Sequence, residues 1–259
     1  MTVLTVDIGN TNATFGLVRR GKVLVCRSLP TQALSEAGVS RLVRRLVERF
    51  LPRKEHLSAV CACSVVASVN SGARRVLDKT LAVPVYFTGK DVVVPIKNLY
   101  RKPGQVGQDR LVGAYAAKML YGPGLVVVDF GTAITFDVVS REGAYLGGLI
   151  VPGFRMMQEA LERRTALLPY VELALPAELI GRDTKSSIRA GLIYGVAGAC
   201  DGILARLLSG QRKRFKVVAT GGDAQLVRPY TRFLRRIDGE LIHKGLALVA
   251  LKTKLKKNS

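Results

Sequence analysis

Two similar stretches decide the fold: TVDIGNTNATFGLV at residues 5–18 and VVDFGTAITFDVV at residues 127–139. Each is an apolar run that reaches an aspartate, a glycine and a threonine, and then resumes as a second apolar run containing Thr-Phe. Apolar, β-branched runs separated by a short polar turn predict a β-hairpin. Because Asp7 and Asp129 stand close to half the chain apart, the repeat predicts a duplicated α/β fold.

The remaining elements suit two halves of this kind, with a domain division expected between residues 1–118 and 119–259. Each hairpin is followed by a third strand and by helices. The predicted strands cover 2–8, 13–19, 22–29, 58–66, 83–88, 125–139, 144–151 and the run from 215. The predicted helices cover 35–50, 71–82, 108–121, a segment from 154, 186–209, 224–235 and 244–257.

The turn at residues 7–12 has two explanations. A glycine between oxygen-bearing side chains lets backbone amides approach an anion closely, which predicts a phosphate-binding hairpin with Asp7 near a metal. Alternatively, its Asn and Thr side chains satisfy their own backbone in an ordinary turn. A third glycine turn, TGGD at 220–223, suits the close approach of a flat group, which favours a nucleotide held in a cleft between the two halves.

Composition is typical of a folded soluble protein, with 48% apolar residues in 259. Asp7 interrupts the first apolar run, so no signal peptide is expected. Residues 190–208 are apolar but contain Asp201, which favours a buried helix over a membrane span. Four cysteines form no CxxC pair. A zinc site is therefore not expected, Cys61 and Cys63 are expected to pack as small apolar residues, and a cytoplasmic location is predicted.

The net charge of +21 is unusual. Such a surface attracts nucleic acid and other polyanions. However, the basic residues are scattered, and no motif that reads bases accompanies them. A solvated basic face is therefore predicted, with no specific nucleic-acid partner. The clusters are RLVRRLVER (41–49), QRKRFK (211–216), RFLRR (232–236) and KTKLKKNS (252–259).

Taken together, the motifs resemble those of the type III pantothenate kinases, a family of the acetate and sugar kinase/Hsp70/actin superfamily. They occur in the order of that family and span nearly all of the chain. The combination of DxGNTN, GxDR and DxGTA is specific, whereas any one alone is weak. The motifs are DIGNTN (7–12), VGQDR (106–110), DFGTAITFD (129–137), GGLIVPG (147–153), SSIRAG (186–191) and TGGD (220–223).

The resemblance implies duplicated ribonuclease-H-like (actin-like ATPase) halves with an interdomain nucleotide cleft, and a homodimer. It implies ATP-dependent phosphorylation of pantothenate to 4′-phosphopantothenate, the first step of coenzyme A biosynthesis. The implied cofactors are magnesium with ATP and a monovalent cation, potassium or ammonium.

The resemblance also assigns residues. Asp109 corresponds to the general base, Asp129 to the monovalent-cation ligand, and Thr132 to a second ATP contact. The loop before GxDR departs from the family pattern at Lys102-Pro103. The ATP-binding hairpin comprises Asp7, Ile8, Gly9, Asn10, Thr11, Asn12, Ala13 and Thr14. The pantothenate pocket comprises Tyr100, Gly107, Gln108, Asp109, Arg110 and Thr184.

These residue types suit phosphoryl transfer, which depends on positioning and on neutralising phosphate charge. A carboxylate such as Asp109 can accept the alcohol proton, and the guanidinium of Arg110 matches the two oxygens of the substrate carboxylate. Asp7 is expected to bind magnesium through water, because magnesium keeps much of its hydration shell. The alternative for the Asp109-Arg110 pair is a plain helix start, where an acidic residue is favoured by the dipole.

Two other functions stay open at this point. One is a sugar kinase of the same superfamily, which has no need of Tyr100 or VGQDR. The other is a non-enzymatic transcriptional accessory protein that uses the same fold and the basic surface to bind nucleic acid. The intact acidic residues Asp7, Asp109 and Asp129 argue against this second function.

Overall fold

The structure, a computed structural model, describes residues 1–52, 54–209 and 215–257. They form two compact units. Unit 1 contains Met1–Gly122, Gly143–Tyr145 and the chain from Glu240 onward, and unit 2 contains Pro123–Glu142 and Leu146–Gly239. The division predicted from sequence, 1–118 and 119–259, stays a prediction. Parts of two basic clusters, 211–214 and 258–259, lie outside the described residues.

Unit 1 is built on a five-stranded sheet in the order β3-β2-β1-β4-β5. The central β1 pairs antiparallel with β2 and parallel with β4. Helices α1 and α2 pack together, as do α3 and α7, and α7 also packs on β1. The elements are β1 (Thr2–Ile8), β2 (Asn12–Arg19), β3 (Lys22–Pro30), α1 (Glu36–Phe50), β4 (Leu57–Ser64), α2 (Ala67–Thr80), β5 (Val85–Phe87), α3 (Gln108–Tyr121) and α7 (Leu241–Lys257).

Alternate residues of β1 serve different helices. Leu4, Val6 and Ile8 join the core cluster that includes the buried face of α1. Between them, Thr5 contacts His243 of α7. Since successive strand side chains point to opposite faces, the sheet is covered on both sides, which explains why β1 is buried along nearly its whole length.

Unit 2 is built on a four-stranded sheet in the order β8-β7-β6-β9. Strand β6 pairs antiparallel with β7 and parallel with β9. Its core joins the inner faces of β6 and β7 to the long helix α5. The elements are β6 (Leu125–Phe130), β7 (Ala133–Val139), β8 (Tyr145–Pro152), α4 (Phe154–Arg164), α5 (Thr184–Leu207), β9 (Lys216–Thr220) and α6 (Ala224–Val227).

The two sheets repeat one topology, because in each the first four strands lie in the order third, second, first, fourth. Asp7 and Asp129 occupy matching places near the ends of β1 and β6. Asp7 pairs with Cys63 on β4, and Asp129 pairs with Thr220 on β9. The prediction of a duplicated α/β fold is therefore confirmed.

One predicted helix is wrong in its second half. Residues 224–235 were expected to be helical, but α6 ends at Val227 and a short 3₁₀ turn covers Arg228–Tyr230. Pro229 has no backbone N–H and cannot continue an α-helix. Beyond it, the backbone N–H of Arg232 donates to the carboxylate of Asp201 on α5, so this segment follows a tertiary contact. Three other helices begin earlier than predicted, α2 at 67, α5 at 184 and α7 at 241.

Helix α5 is, within the described ranges, the one helix long and apolar enough to cross a membrane. Its length and composition are also those of a core helix. Ile193, Ala197 and Leu204 are buried in the core of unit 2, and Asp201 forms an ion pair with Arg232 at 2.9 Å. A charged residue with a protein partner at this depth fits a helix that packs inside a protein.

Candidate functional site

The hairpin loop that follows β1 is held in shape by hydrogen bonds from outside it. Across the turn, the N–H of Gly9 donates to the carbonyl of Asn12 at 3.0 Å. Thr31, just after β3, donates from its hydroxyl to the carbonyl of Gly9 at 2.7 Å and from its N–H to the carbonyl of Thr11 at 2.9 Å. Thr31 therefore fixes the loop from a neighbouring segment, a role that the sequence did not reveal.

The residues predicted to bind ATP in this hairpin fall into two groups. Ile8 and Ala13 are fully buried in the core of unit 1, so their side chains are not available to a ligand. Asn10 and Asn12 are exposed. A phosphate at this loop would meet backbone amides and short polar side chains, as in other anion-binding turns.

Asp7 lies at the buried end of the same hairpin, and the thiol of Cys63 donates a hydrogen bond to its Oδ1 at 3.2 Å. Burial raises the pKa of Asp7 to about 6; the Cys63 thiol opposes this shift, and the nearby Asp109 carboxylate adds to it. Cys63 is buried, as predicted, but it also makes a polar contact that sequence analysis missed.

Asp109 lies in the first turn of α3. Its Oδ1 accepts a hydrogen bond from the N–H of Arg110 at 2.8 Å. Burial raises the pKa of Asp109, and its contacts with Arg110 lower it in part. A Cβ at Gly107 would overlap the Asp109 carboxylate and would lie 3.6 Å from Val65. The glycine of VGQDR therefore makes room for this aspartate.

Asp7 and Asp109 are thus two carboxylates in unit 1 whose charges interact. A hard cation with oxygen ligands relieves repulsion of this kind. Magnesium is usually bound by one or two carboxylates together with waters and substrate phosphates. The two carboxylates therefore fit a magnesium ion that keeps most of its waters and arrives with a phosphate ligand.

Two other residues predicted to line the pantothenate pocket, Gln108 and Tyr100, also belong to unit 1. The amide of Gln108 lies against Gly89, which has a φ of +79° and where a Cβ would be 2.7 Å from Gln108 Cδ. The ring of Tyr100 lies 6.5 Å from that of Tyr145, and its N–H donates to Asn98 Oδ1 at 3.0 Å.

The second hairpin, in unit 2, is also tightly closed. The N–H of Gly131 donates to the carbonyl of Ala133 at 3.2 Å, and the N–H of Gly153 donates to the carbonyl of Thr132 at 3.1 Å. A Cβ at Gly153 would overlap the carbonyls of Gly131 and Thr132. The GGLIVPG motif therefore ends in a glycine that supports the hairpin, while the Thr132 residue itself is exposed.

Asp129 lies against the TGGD turn. Gly221 has a φ of +91°, and a Cβ there would lie 2.5 Å from Asp129 Oδ1 and would overlap the carbonyl of Phe130. A carboxylate oxygen and a carbonyl oxygen thus lie close together against Gly221, where only glycine fits. Oxygen atoms are the ligands of hard cations, so these residue types fit the predicted ion. Burial also raises the pKa of Asp223 in the same turn.

Thr184 is the first residue of α5 and is exposed. The helix start is fixed by a reciprocal capping box, in which Asp183 accepts from the N–H of Ser186 at 2.9 Å. This explains the position of Thr184, whereas its predicted contact with pantothenate stays a prediction.

Comparison with known proteins agrees with the motifs. The family model described as type III pantothenate kinase matches residues 3–206. A type III pantothenate kinase of Myxococcus xanthus is 38% identical over 250 residues, covering 95% of this chain and 97% of the relative. One from Nitratidesulfovibrio vulgaris is 41% identical over 255 residues, covering 96% of each.

Solved structures show the fold. The activator of 2-hydroxyisocaproyl-CoA dehydratase from Clostridium difficile, with bound ADPNP, superposes with a TM-score of 0.60 at 12% identity, covering 100% of this chain and 98% of that protein. At this identity the likeness concerns the fold alone. The family model covers both hairpins and VGQDR, and the two relatives cover nearly the whole chain. The chain belongs to the type III pantothenate kinase family.

Proposed function

We propose that this protein transfers the γ-phosphoryl group of ATP to the primary hydroxyl of pantothenate, with Asp109 as the general base. The family makes it an ATP-dependent pantothenate kinase, which forms 4′-phosphopantothenate in coenzyme A biosynthesis. The observation that carries the assignment of the base is the environment of Asp109. Burial raises the pKa of this carboxyl group, and a carboxylate of raised pKa is a better proton acceptor near neutral pH.

Each residue of the pantothenate pocket has a proposed role. Asp109 accepts the hydroxyl proton while the oxygen attacks the γ-phosphorus, and the bond from that phosphorus to the β,γ-bridging oxygen breaks to release ADP. Arg110 pairs with the substrate carboxylate. Tyr100, Gly107, Gln108 and Thr184 complete the pantothenate pocket. The Pro103–Gln105 turn just before VGQDR, where the chain departs from the family pattern at Lys102, leads directly into this site.

On the ATP side, the hairpin from Asp7 to Thr14 contributes backbone amides and polar side chains to the phosphates, and Thr132 makes a further contact with ATP. Magnesium bound with ATP neutralises phosphate charge. Asp7 orients that ion through water, because its carboxylate is held by Cys63 and stands near a second acid.

Asp129 is the proposed ligand of a potassium or ammonium ion. The convergence of its Oδ1 with the Phe130 carbonyl beside Gly221 supports this assignment. Activity should rise strongly with potassium or ammonium and little with sodium, and Asp129→Ala should remove that response. Full activity of the wild-type protein in sodium alone would contradict the site.

We also propose a cytoplasmic homodimer. An apolar cavity of about 260 Å³ in unit 2 opens beside Gly191 and Gly195 of α5. Nearby on the surface, Ile150 and Met156 are 62% and 47% exposed. Exposed apolar side chains beside an apolar cavity suit an interaction face.

The experiment that tests the catalytic assignment is a coupled assay of ATP-dependent pantothenate phosphorylation with Asp109→Asn. The amide fills the same space but cannot accept the proton, so the rate should fall by roughly 10²–10⁴, while ATP affinity stays within a few-fold. Glu48→Gln, an exposed acid on α1, is the matched control and should keep full activity. Retention of a tenth of the wild-type rate by Asp109→Asn would exclude it as the base.

The two alternative functions are tested alongside. Glucose and other sugars should not replace pantothenate in the same assay. In a DNA titration at about 150 mM salt, we expect only non-specific affinity, of the order of 10⁻⁴–10⁻⁶ M. Sequence-selective binding tighter than about 10⁻⁸ M would instead favour the transcriptional accessory protein.

A further inference from the structure

A second cavity, of about 500 Å³, lies in unit 1 between α2 and the chain that follows β5. Residues of α2 form one wall, and Phe87, Thr88 and Lys90 form the other. Its lining includes none of the residues assigned above to ATP, pantothenate or cations. A cavity of this size is in the range that holds a small organic ligand.

The cavity wall is basic. Arg74, Arg75, Lys79 and Lys90 line it against a single acid, Asp78. Arg74 is already engaged, since its guanidinium pairs with Asp91, donates to the carbonyl of Val85 at 3.2 Å and stacks 4.9 Å over the Phe87 ring.

The other three cations form no ion pair. Within residues 1–52, 54–209 and 215–257, no ion pair engages Arg75, Lys79 or Lys90. Three unpaired cations and one acid leave the concave surface with an excess of positive charge, which attracts an anion more strongly than an isolated lysine does.

Two polar atoms of residues that line the cavity point to a ligand independently of the charge. Oγ1 of Thr88 and Oδ1 of Asn70 are out of contact with solvent and have no hydrogen-bond partner. Thr88 is only 6% exposed. A buried polar atom without a partner destabilises the folded protein, so a hydrogen bond supplied by a ligand would remove this destabilisation.

The backbone holds Thr88 in this position. Its N–H donates to the carbonyl of Ala62 on β4 at 2.8 Å, which fixes the backbone from which the hydroxyl extends. A threonine hydroxyl donates to an oxygen acceptor, and the Asn70 amide donates equally well once its oxygen and nitrogen are exchanged by rotation. The lining of the cavity can therefore offer both hydrogen-bond donors and cations.

We propose that this cavity is a binding site for a small phosphorylated molecule, distinct from the ATP and pantothenate sites. A phosphoryl group carries up to two charges and three acceptor oxygens, which matches three cations and two buried donors better than a singly charged carboxylate does. Ser64 also lines the cavity and directly follows Cys63, the partner of Asp7, so the site adjoins the catalytic hairpin.

The probe is pyrophosphate, titrated by calorimetry into the full-length protein at fixed free magnesium. A saturating non-hydrolysable ATP analogue first occupies the ATP site. We expect saturable binding at one site per chain, weakened roughly tenfold or more in Arg75→Gln/Lys79→Gln, since two cation contacts are lost. Arg44→Gln/Arg45→Gln, which removes two exposed cations from α1, is the matched control and should bind as the wild type does.

Thr88→Val tests the buried donor. It should abolish or strongly weaken pyrophosphate binding while leaving the melting temperature of the unliganded protein unchanged or raised, because an unsatisfied hydroxyl is removed. Thr88→Ser keeps the hydroxyl and should restore binding, which separates a ligand contact from a folding defect.

The proposal would be overturned by no binding of pyrophosphate, equal losses in the α1 control, normal binding in Thr88→Val, or acetate competing as well as pyrophosphate. A short DNA duplex that bound through the same residues more tightly than pyrophosphate would also overturn it, since the occupant would then be a nucleic acid. None of these readouts depends on kinase activity.

Discussion

The thiol of Cys63 donates a hydrogen bond to Oδ1 of Asp7 across 3.2 Å, and so joins β4 to β1 at the start of the phosphate hairpin. In unit 2, the residue paired in the same way with Asp129 is Thr220. The two acids therefore have neighbours of different polarity at matching positions. Because Asp7 lies close to a second carboxylate, a donor at residue 63 helps it to stay ionised.

Cys63→Ala should slow phosphorylation about fivefold or more, because a hydrogen bond to a charged group contributes about 1.5–3 kcal/mol and a thiol is a weak donor. The acidic limb of the pH–rate profile should move to higher pH, since the pKa of Asp7 rises when the thiol is lost. Cys63→Ser should restore both the rate and the profile. A slower Ala variant with an unchanged pH profile would show that Cys63 acts through packing alone.

Asp7→Asn should stabilise the unliganded protein at pH 8. Burial raises the pKa of Asp7 from 3.8 to about 6. Above pH 6 the buried carboxylate is ionised and lowers the free energy of unfolding, whereas below pH 4 it is protonated and has no such effect. The gain should be at most about 3 kcal/mol at pH 8, and it should vanish as the pH falls to about 4. Denaturant melts across this range measure it. A variant less stable than the wild type at pH 8 would contradict the assignment.

His243 should affect stability in the direction opposite to Asp7, because it should make the folded protein less stable as the pH falls. Burial lowers its pKa from 6.5 to about 4, so stability is lost as pH falls through this window. The Thr5 hydroxyl donates to the carbonyl of Gly16 at 2.9 Å, and its oxygen therefore accepts from Nδ1–H of His243 at 2.8 Å.

Between pH 8 and pH 5 this histidine should account for about 2 kcal/mol of lost stability. His243→Asn keeps a donor near Nδ1 but does not titrate, so its stability should be lower at pH 8 and should vary less with pH. Combining it with Asp7→Asn separates the two opposing contributions. An equal loss in wild type and His243→Asn would exclude the histidine as the source.

Gly195→Leu should convert the proposed dimer to a monomer. Gly191, Gly195 and Gly198 are exposed on α5, and a Cβ at each would meet nothing within 4 Å. Glycine inside a helix costs about 1 kcal/mol relative to alanine, so these positions are better explained by close approach of a partner.

Light scattering after gel filtration measures the mass. Gly72→Leu, at another helical glycine with open space in α2, is the control and should not change it. A wild-type monomer, or a dimer that survives Gly195→Leu, would remove α5 from the interface.

Much of the architecture could be predicted from the sequence because its signals are local. Apolar, β-branched runs and short glycine turns specify the hairpins at Asp7 and Asp129, and their repetition predicts the duplication. Gly107 and Gly221 are explained by their neighbours in space, yet both lie in motifs that sequence analysis had singled out. At both positions the close packing of neighbouring atoms requires glycine, and the family motif also contains glycine there.

Other features depend on contacts between distant segments. Thr31 and Cys63 have unremarkable sequence surroundings, and only the pairing of strands brings them to the hairpin. The helix predicted over 224–235 has suitable periodicity, but Pro229 and the bond from Arg232 to Asp201 override it. Local pattern cannot report a partner that lies about thirty residues away.

The packing of α7 on β1 has a consequence for how the chain is made. Strand β1 is among the first segments to be synthesised, but the helix that covers Thr5 and Gly16 follows some 230 residues later. At ribosomal speeds of about 5–20 residues per second, one face of that sheet stays uncovered for tens of seconds. Unit 2 can complete its core during that interval. Nascent chains halted before residue 240 should therefore present a finished second unit together with a chaperone-sensitive first one.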